Sequence, residues 1–156
     1  MLEVGNGNLT PQEEKSHFAL WCMMSSPLLA GNNLTAASPE LIKILTAAGP
    51  LSVNQDDRAL QARPCGYGSA DGGGIWQAFA KPLADGSTAA LILNRNASAA
   101  VNATVAFKLC NVSVTSTAVT DLWTGELLGS FSKEWSAELD PHAHRLIKIS
   151  TPTHDL

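Results

Sequence analysis

Basic side chains are few in this 156-residue chain and never grouped: ten Lys and Arg stand against fourteen Asp and Glu, and Lys43, Arg58, Arg63, Lys81 and Arg95 each sit apart. With a net charge of −4 there is no basic stripe for a phosphate backbone, so nucleic acid is excluded as a partner. Long hydrophobic runs are missing too. No apolar stretch approaches the roughly 18 residues of a membrane span, and no membrane partner is expected. The three cysteines, Cys22, Cys65 and Cys110, are widely spaced, with no CxxC pair and no nearby His. That pattern gives no zinc site; it leaves one disulfide or none and a leftover buried thiol. Cys22, inside the apolar LWCMM stretch, reads as core, and no metal or cofactor is expected. A secretory leader is also absent from MLEVGNGNLT, which has no basic start, apolar stretch or small-residue cleavage site.

What is present is a 45% hydrophobic composition, enough for a real core in one domain or two small ones. Five of the nine asparagines begin Asn-x-Ser/Thr triplets: Asn8, Asn33, Asn96, Asn102 and Asn111. Random placement would give about one or two, so the excess points to passage through the secretory pathway. Pro11 directly after Thr10 disfavours use of Asn8. Acceptor triplets without a leader lead to the expectation that the chain lacks its natural N-terminus.

Two textures follow one another along the chain. Thr10-Pro11-Gln12-Glu13 is a capping box with Pro at the first helical position, and Phe18, Leu20, Trp21 and Met24 carry a helix over 11–25. Pro27–Gly31 reads as a small buried strand. Ser38-Pro39-Glu40 starts a second helix, over 39–48, that ends near Gly49-Pro50, and Leu51–Val53 reads as extended. Beyond residue 57 short β-rich runs alternate with turn signals: Ile75–Pro82, Thr88–Asn94, Ala103–Leu109, Thr117–Trp123 and His144–Ile149. Seven or eight antiparallel strands are expected after residue 60. The glycine cluster Cys65–Gly74 precedes a strand, not a helix, so it reads as a mobile hairpin loop and not a phosphate cradle. Gly5-Asn6-Gly7 is too short for a dinucleotide fingerprint.

MLEVGNG, the capped helix with FALW, SSPLLAGNNL, ASPELIKILT, VNQD, AFAKPLADGSTAALILNRN and VTDLW together resemble the closing part of glycoside hydrolase family 27, the α-galactosidases and α-N-acetylgalactosaminidases. The segments keep the family's order from Met1 to about Ile149. The resemblance implies an α+β chain: a fragment of a (β/α)8 barrel, its final strand-helix units, followed by an antiparallel β-sandwich domain. Residues 1–56 would be the end of the catalytic barrel, 57–150 the sandwich and 151–156 a tail.

The resemblance also implies a parent enzyme that removes terminal α-linked galactose by a two-carboxylate retaining mechanism. That parent would act on α-galactoside sugars, be secreted or lysosomal/vacuolar, and be able to form a homodimer. Both catalytic aspartates of the family lie upstream of this chain, so no catalytic residue is carried over. The family's Trp-Asn-Asp-Pro-Asp-Met motif sets a sugar-binding aspartate directly before the methionine that matches Met1, which implies a substrate-lining role for Met1. The chain alone is expected to be inactive. Galactose and N-acetylgalactosamine are not distinguished by these residues.

Other carboxylates do not rescue it. Glu3, Glu13, Glu14, Asp56, Asp57 and Asp121 match no catalytic position of the family; Glu13 caps a helix, Glu14 lies in its first turn, and Asp56-Asp57 mark the domain junction. His142 and His144 flank a turn, and no Ser-His-Asp or Cys-His signature is visible. Two alternatives stand beside this reading. One is a carbohydrate-binding β-sandwich module, favoured if Trp76, Trp123 and Trp135 line one exposed face, although strand tryptophans are more often core. The other is a truncated product with no activity. A quarter of a barrel leaves open edges, so residues 1–56, with Phe18, Trp21 and Leu28 poorly covered, are expected to be the labile part.

Overall fold

Thr10 opens helix α1 (Pro11–Met23) by the expected capping box: Glu13 N donates to Thr10 Oγ1 at 3.3 Å, and Thr10 N donates to Glu13 Oε2 at 2.8 Å. The computed structural model describes residues 1–68, 75–112 and 117–151. The buried side chains of α1 form two neighbouring stripes. Phe18 and Cys22, four residues apart, pack with Leu2, Val4, Leu41 and Ile44. Ala19 and Met23 pack instead with Val53, Leu83, Leu91 and Leu146. The helix therefore has neighbours on two sides, and Phe18 is only 1% exposed. This corrects the expectation of poor cover: Phe18 is fully buried, Trp21 and Leu28 are half-buried, and the apolar exposure falls on Met1, Leu29 and Leu34.

Helix α2 (Pro39–Leu45) starts at Ser38, whose hydroxyl accepts from Leu41 N, and stops three residues earlier than expected, with Thr46 as its C-cap. Helix α3 (Ala48–Asn54) then occupies the stretch expected to be extended. The reason is positional. Pro50 is the third residue of α3, inside the first turn, where backbone N–H groups have no intrahelical acceptor and their loss costs nothing. Gly49-Pro50 thus begins a helix where a helix end was expected. Pro27–Gly31 is not a buried strand either. It makes a single parallel bridge, Leu2↔Ala30, and Leu29 points to solvent, because Leu2 offers a neighbour on one side only among the described residues.

Among the described residues eight antiparallel strands follow: β1 (Arg63–Gly68), β2 (Trp76–Pro82), β3 (Thr88–Asn94), β4 (Val101–Ala106), β5 (Thr117–Asp121), β6 (Leu127–Phe131), β7 (Glu134–Leu139) and β8 (His144–Ser150). Six form one sheet in the order β1-β2-β3-β8-β5-β6, and β4 pairs with β7 in a second. The two sheets enclose a core of Ala78, Ala90, Ile92, Val105, Phe107, Trp135, Leu139, Ile147 and Ile149. On the other face of the large sheet, Leu91 and Leu146 meet α1 and α3. A sheet covered on both faces needs near-continuous apolar strands, which is what Ala89-Ala90-Leu91-Ile92 supplies. Each fully buried leucine there contributes about 2 kcal/mol.

The Cys65–Gly68 half of the glycine cluster belongs to β1, so it is not a loop; residues 69–74 lie outside the described residues. β1 has little intrinsic strand propensity and is held by pairing with β2 and by the Cys65–Cys110 disulfide, Cα–Cα 4.9 Å. A loop of 45 residues closed by that bond adds up to about 4 kcal/mol by restricting the unfolded chain. Cys22 is the leftover buried thiol. The strand expected over Thr117–Trp123 ends at Asp121, whose Oδ1 accepts from Trp123 N and Thr124 N and so turns the chain. The strand expected over Ala103–Leu109 likewise ends at Ala106, before a turn that carries Cys110.

Candidate functional site

Leu2 N donates to Leu29 O at 2.8 Å beside the Leu2↔Ala30 bridge, so the segments on either side of α1 meet in parallel through one isolated bridge. In (β/α)8 barrels the chemistry sits at the C-terminal ends of the parallel strands. Here the residues that follow the bridge on its two sides include Gly5, Asn6, Gly31 and Asn32. A Cβ on Gly5 would stand 2.8 Å from Asn32 Nδ2, and one on Gly31 would stand 2.7 Å from Leu2 O and 3.3 Å from Asn6 Nδ2, so both glycines permit this close approach. Gly5 also has φ +83, and its N–H donates to Glu14 Oε1 at 2.9 Å. Both polar atoms of the Asn32 side chain are buried without a hydrogen-bond partner among the described residues. Met1 is 71% exposed beside this end.

Asn6 and Asn32 were not singled out from the sequence. The clue available was that each follows a glycine directly after a short apolar run, in VGN and AGN.

All but one of the carboxylates considered as substitutes are engaged in caps, turns or neighbouring hydrogen bonds. Glu3 accepts from Asn6 Nδ2, and Glu13 is held by Thr10 and by His142 Nδ1 at 2.6 Å. The hydrogen bonds from Thr10, and then that from His142, hold the Glu13 carboxyl below its ordinary value. Asp56 accepts from Arg58 N and Ala84 N, Asp121 closes the turn after β5, and Asp57 makes no side-chain bond among the described residues. Asp56 and Asp57, adjacent in sequence, line a common cleft. A cleft of about 610 Å³ runs along Leu60, Arg63, Cys65 and Leu109, and another of about 290 Å³ along Asp56, Asp57, Asp85 and Lys148. Neither includes Met1, Asn6 or Asn32. Among the described residues no group of three His, Cys, Asp or Glu side chains is placed to hold a metal ion. Burial pushes the Cys22 thiol up to about 12, which removes it as a nucleophile near neutral pH.

The tryptophans do not form a platform. Trp135 is 7% exposed inside the sandwich core, Trp76 packs on the same core, and Trp123 lies between Phe18 and His144. Trp135, which stands between Lys133 and Glu134, is inward because β7 alternates Glu134, Ser136 and Glu138 outward with Trp135, Ala137 and Leu139 inward.

A buried lysine joins the helices to the large sheet. Lys81, on the same face of β2 as Phe79, is 1% exposed. Its Nζ donates to Val53 O at 2.6 Å, Ser25 Oγ at 2.8 Å and Cys22 O at 3.5 Å. The ammonium thus meets carbonyls in the last turns of α1 and α3, where a positive charge is favoured. Burial lowers the Lys81 pKa from its ordinary value, opposed by the nearby Asp56 charge.

A capped helix whose flanks meet at one parallel bridge, followed by two short helices and a two-sheet antiparallel sandwich, fits the closing part of a glycoside-hydrolase barrel with its C-terminal domain. Residues 1–56 match the family described as "Alpha galactosidase A", and residues 73–149 match "Alpha galactosidase C-terminal beta sandwich domain". A probable α-galactosidase of Dictyostelium discoideum is 30% identical over 156 residues, covering 99% of this chain and 40% of that protein. The α-galactosidase of Cyamopsis tetragonoloba is 33% identical over 153 residues, covering 96% of this chain and 35% of the relative. The crystal structure of α-galactosidase I from Mortierella vinacea superposes with a TM-score of 0.86 at 30% identity, over 96% of this chain and 38% of that one. The chain belongs to glycoside hydrolase family 27, to its C-terminal portion, and it spans about two fifths or less of the length of these relatives.

Proposed function

We propose that this chain is the C-terminal part of an α-galactosidase-like retaining glycoside hydrolase that removes terminal α-linked galactose, and that the 156 residues by themselves do not catalyse it. Residues 1–56 would close the catalytic barrel, 57–150 would form the sandwich, and 151–156 a tail. Met1 would line the substrate pocket, next to the aspartate that precedes it in the family's motif. The observation that carries the inactivity is the fate of the acids: Glu3, Glu13, Asp56 and Asp121 are held by caps, turns and neighbouring side chains, and in the cleft that Asp56 and Asp57 share with Asp85 the last is paired with Lys148. A retaining mechanism needs two carboxyl groups about 5 Å apart. The purified chain should therefore show no detectable hydrolysis of an aryl α-galactoside, and activity should require a complete barrel of the family placed before Met1. Turnover by the chain alone that disappears in Asp56→Asn or Asp57→Asn would overturn this.

The acceptor triplets extend the proposal to a secreted or lysosomal/vacuolar glycoprotein. No helix among the described residues is long and apolar enough to cross a membrane. Asn102 is exposed on β4, on the solvent face of the two-stranded sheet where Thr104 and Ser136 meet at 2.8 Å, and Asn96 lies in the turn between β3 and β4. With a signal peptide in a eukaryotic host, glycans are expected at these two positions. Enzymatic deglycosylation should then lower the mass of the secreted chain. An unchanged mass would count against the secretory reading.

A further inference from the structure

Helix α1 meets the sandwich through a chain of four hydrogen-bonding groups that admits only one placement of protons. His144, the first residue of β8, is 8% exposed. Its Nε2 is 2.7 Å from Trp123 Nε1, and its Nδ1 is 2.9 Å from Ser16 Oγ. Ser16 Oγ in turn lies 2.7 Å from the carbonyl oxygen of His142. An indole nitrogen can only donate, so Nε2 must accept and the ring proton must be on Nδ1. Nδ1–H then donates to Ser16 Oγ, whose own hydrogen goes to the His142 carbonyl. All four groups are satisfied, and the imidazole is neutral.

A second proton would go on Nε2, and two N–H groups would then face each other at 2.7 Å. The added charge would also be buried near Lys15 of α1, whose Nζ lies 6.0 Å from the centre of the Trp123 ring, and near Arg145 of β8. The acidic groups around the site are committed elsewhere. Glu13 of α1 bonds His142 Nδ1, and Asp121 at the end of β5 binds the Trp123 and Thr124 amides and stands 3.9 Å from Arg145. None of them contacts the His144 ring.

We propose that the Trp123–His144–Ser16–His142 relay is an acid-sensitive latch: with a neutral His144 it holds α1 on the sandwich, and protonation of His144 releases the helix from it. Burial, with Lys15 and Arg145 adding to it, pushes His144 down to about 3, from an ordinary value of 6.5. The folded pKa lies below the unfolded one, so the unfolded or released state binds the extra proton between these two values. The contribution of the latch is complete above about 6.5, and it is lost as the pH falls towards 3, by up to tenfold in the closing equilibrium for each pH unit.

The test is hydrogen exchange of the full chain followed segment by segment between pH 7 and pH 4. Protection factors of the α1 amides from Ser16 to Met23 should fall steeply below pH 6, approaching tenfold per unit, while those of β3 fall less. His144→Gln keeps an acceptor for Trp123 and a donor for Ser16 but does not titrate, and it should flatten the α1 slope. Glu13→Gln, which removes the exposed pair with His142, should leave the slope in place. Equal slopes in the wild type and His144→Gln, or α1 protection that does not respond to pH, would overturn the latch. Should His144→Gln fail to fold, the ring titration of wild-type His144 followed by NMR decides. Uptake of a proton near pH 6.5 with α1 protection intact sinks the proposal, and a neutral ring down to the pH where α1 opens supports it.

Discussion

Gly49→Ala should destabilise the chain by about 3 kcal/mol, the upper end of ordinary overpacking, and lower the melting temperature by roughly 10 °C. Helix propensity alone predicts the opposite sign, because Ala in a helix is favoured over Gly by about 0.5–1 kcal/mol. Gly49 is the second residue of α3 and its φ is not in the left-handed region, so backbone conformation does not require glycine there. Space does. A Cβ at Gly49 would stand 1.7 Å from the carbonyl oxygen of Leu122 and 3.2 Å from its Cα, in the turn that follows β5. Both partners are backbone, so a rotamer change cannot relieve the contact, and α3 must move away from the sandwich. Moving it would disturb Val53 and Pro50, both buried on α3. Ala48→Gly, one position earlier, gives the internal comparison: it should cost only about 0.5–1 kcal/mol, from propensity. Urea unfolding of the two variants settles the matter, and a Gly49→Ala protein as stable as the wild type would show that α3 does not approach Leu122 as described.

Lys81→Met is expected to cost about 2–4 kcal/mol, although it exchanges a buried charge for an apolar side chain of similar length. Two effects compete. Desolvation of the ammonium is unfavourable, as its lowered pKa records, and on that account alone methionine would be preferred. The carbonyls of Val53 and Cys22 and the hydroxyl of Ser25 remain where they are, however, and in the variant they lose a shared donor in a place water reaches poorly. A buried acceptor left alone costs about 1–3 kcal/mol, more when its partner was charged, so the losses exceed the gain.

The alkaline limb supplies a second readout. The folded pKa of Lys81 is below 10.5, so between the two values the unfolded chain binds the additional proton and wild-type stability rises with pH. Lys81→Met should lack that rise. A variant as stable as the wild type, with the same alkaline slope, would mean that Lys81 does not hold α1 and α3 to the sheet.

Features carried by contiguous residues were readable before folding. Thr10 and Glu13 cap α1 as their spacing indicates, and Thr88–Asn94 is bounded as the apolar run and the Asp85-Gly86 turn require. Misreadings arise where a residue's meaning depends on its position within an element. Pro50 marks a helix end if it follows the helix and a helix start if it stands in the first turn, and the sequence is compatible with both. β1, with Arg-Pro-Cys-Gly-Tyr-Gly, has no strand signal of its own and owes its form to β2 and to a disulfide partner at Cys110. β7 did alternate, but Ser136 and Ala137 diluted the contrast between its faces.

For the candidate site the limit is distance along the chain. The family segments singled out Met1, but the approach of Asn32 to Gly5, of Lys81 to Val53 and of His144 to Ser16 joins residues that no local pattern relates. His142 and His144 were read as flanking a turn; His142 stands inside it, at φ +57, and His144 opens β8. Their partners, Glu13 and Ser16, lie more than a hundred residues earlier.

The position of β8 constrains how the sandwich is made during synthesis. β8 lies between β3 and β5, pairing Thr88 with Ile149 on one side and Ala118 with Ser150 on the other. Until residues 144–150 have emerged from the ribosome, β1-β2-β3 and β5-β6 are separate pieces with no hydrogen bond between them, each presenting an open inner edge. The nascent sandwich can therefore collapse but cannot close, and its exposed edges are available to other chains throughout elongation. Premature release before residue 144 would yield two unjoined half-sheets, so the last strand made is the one on which escape from aggregation depends.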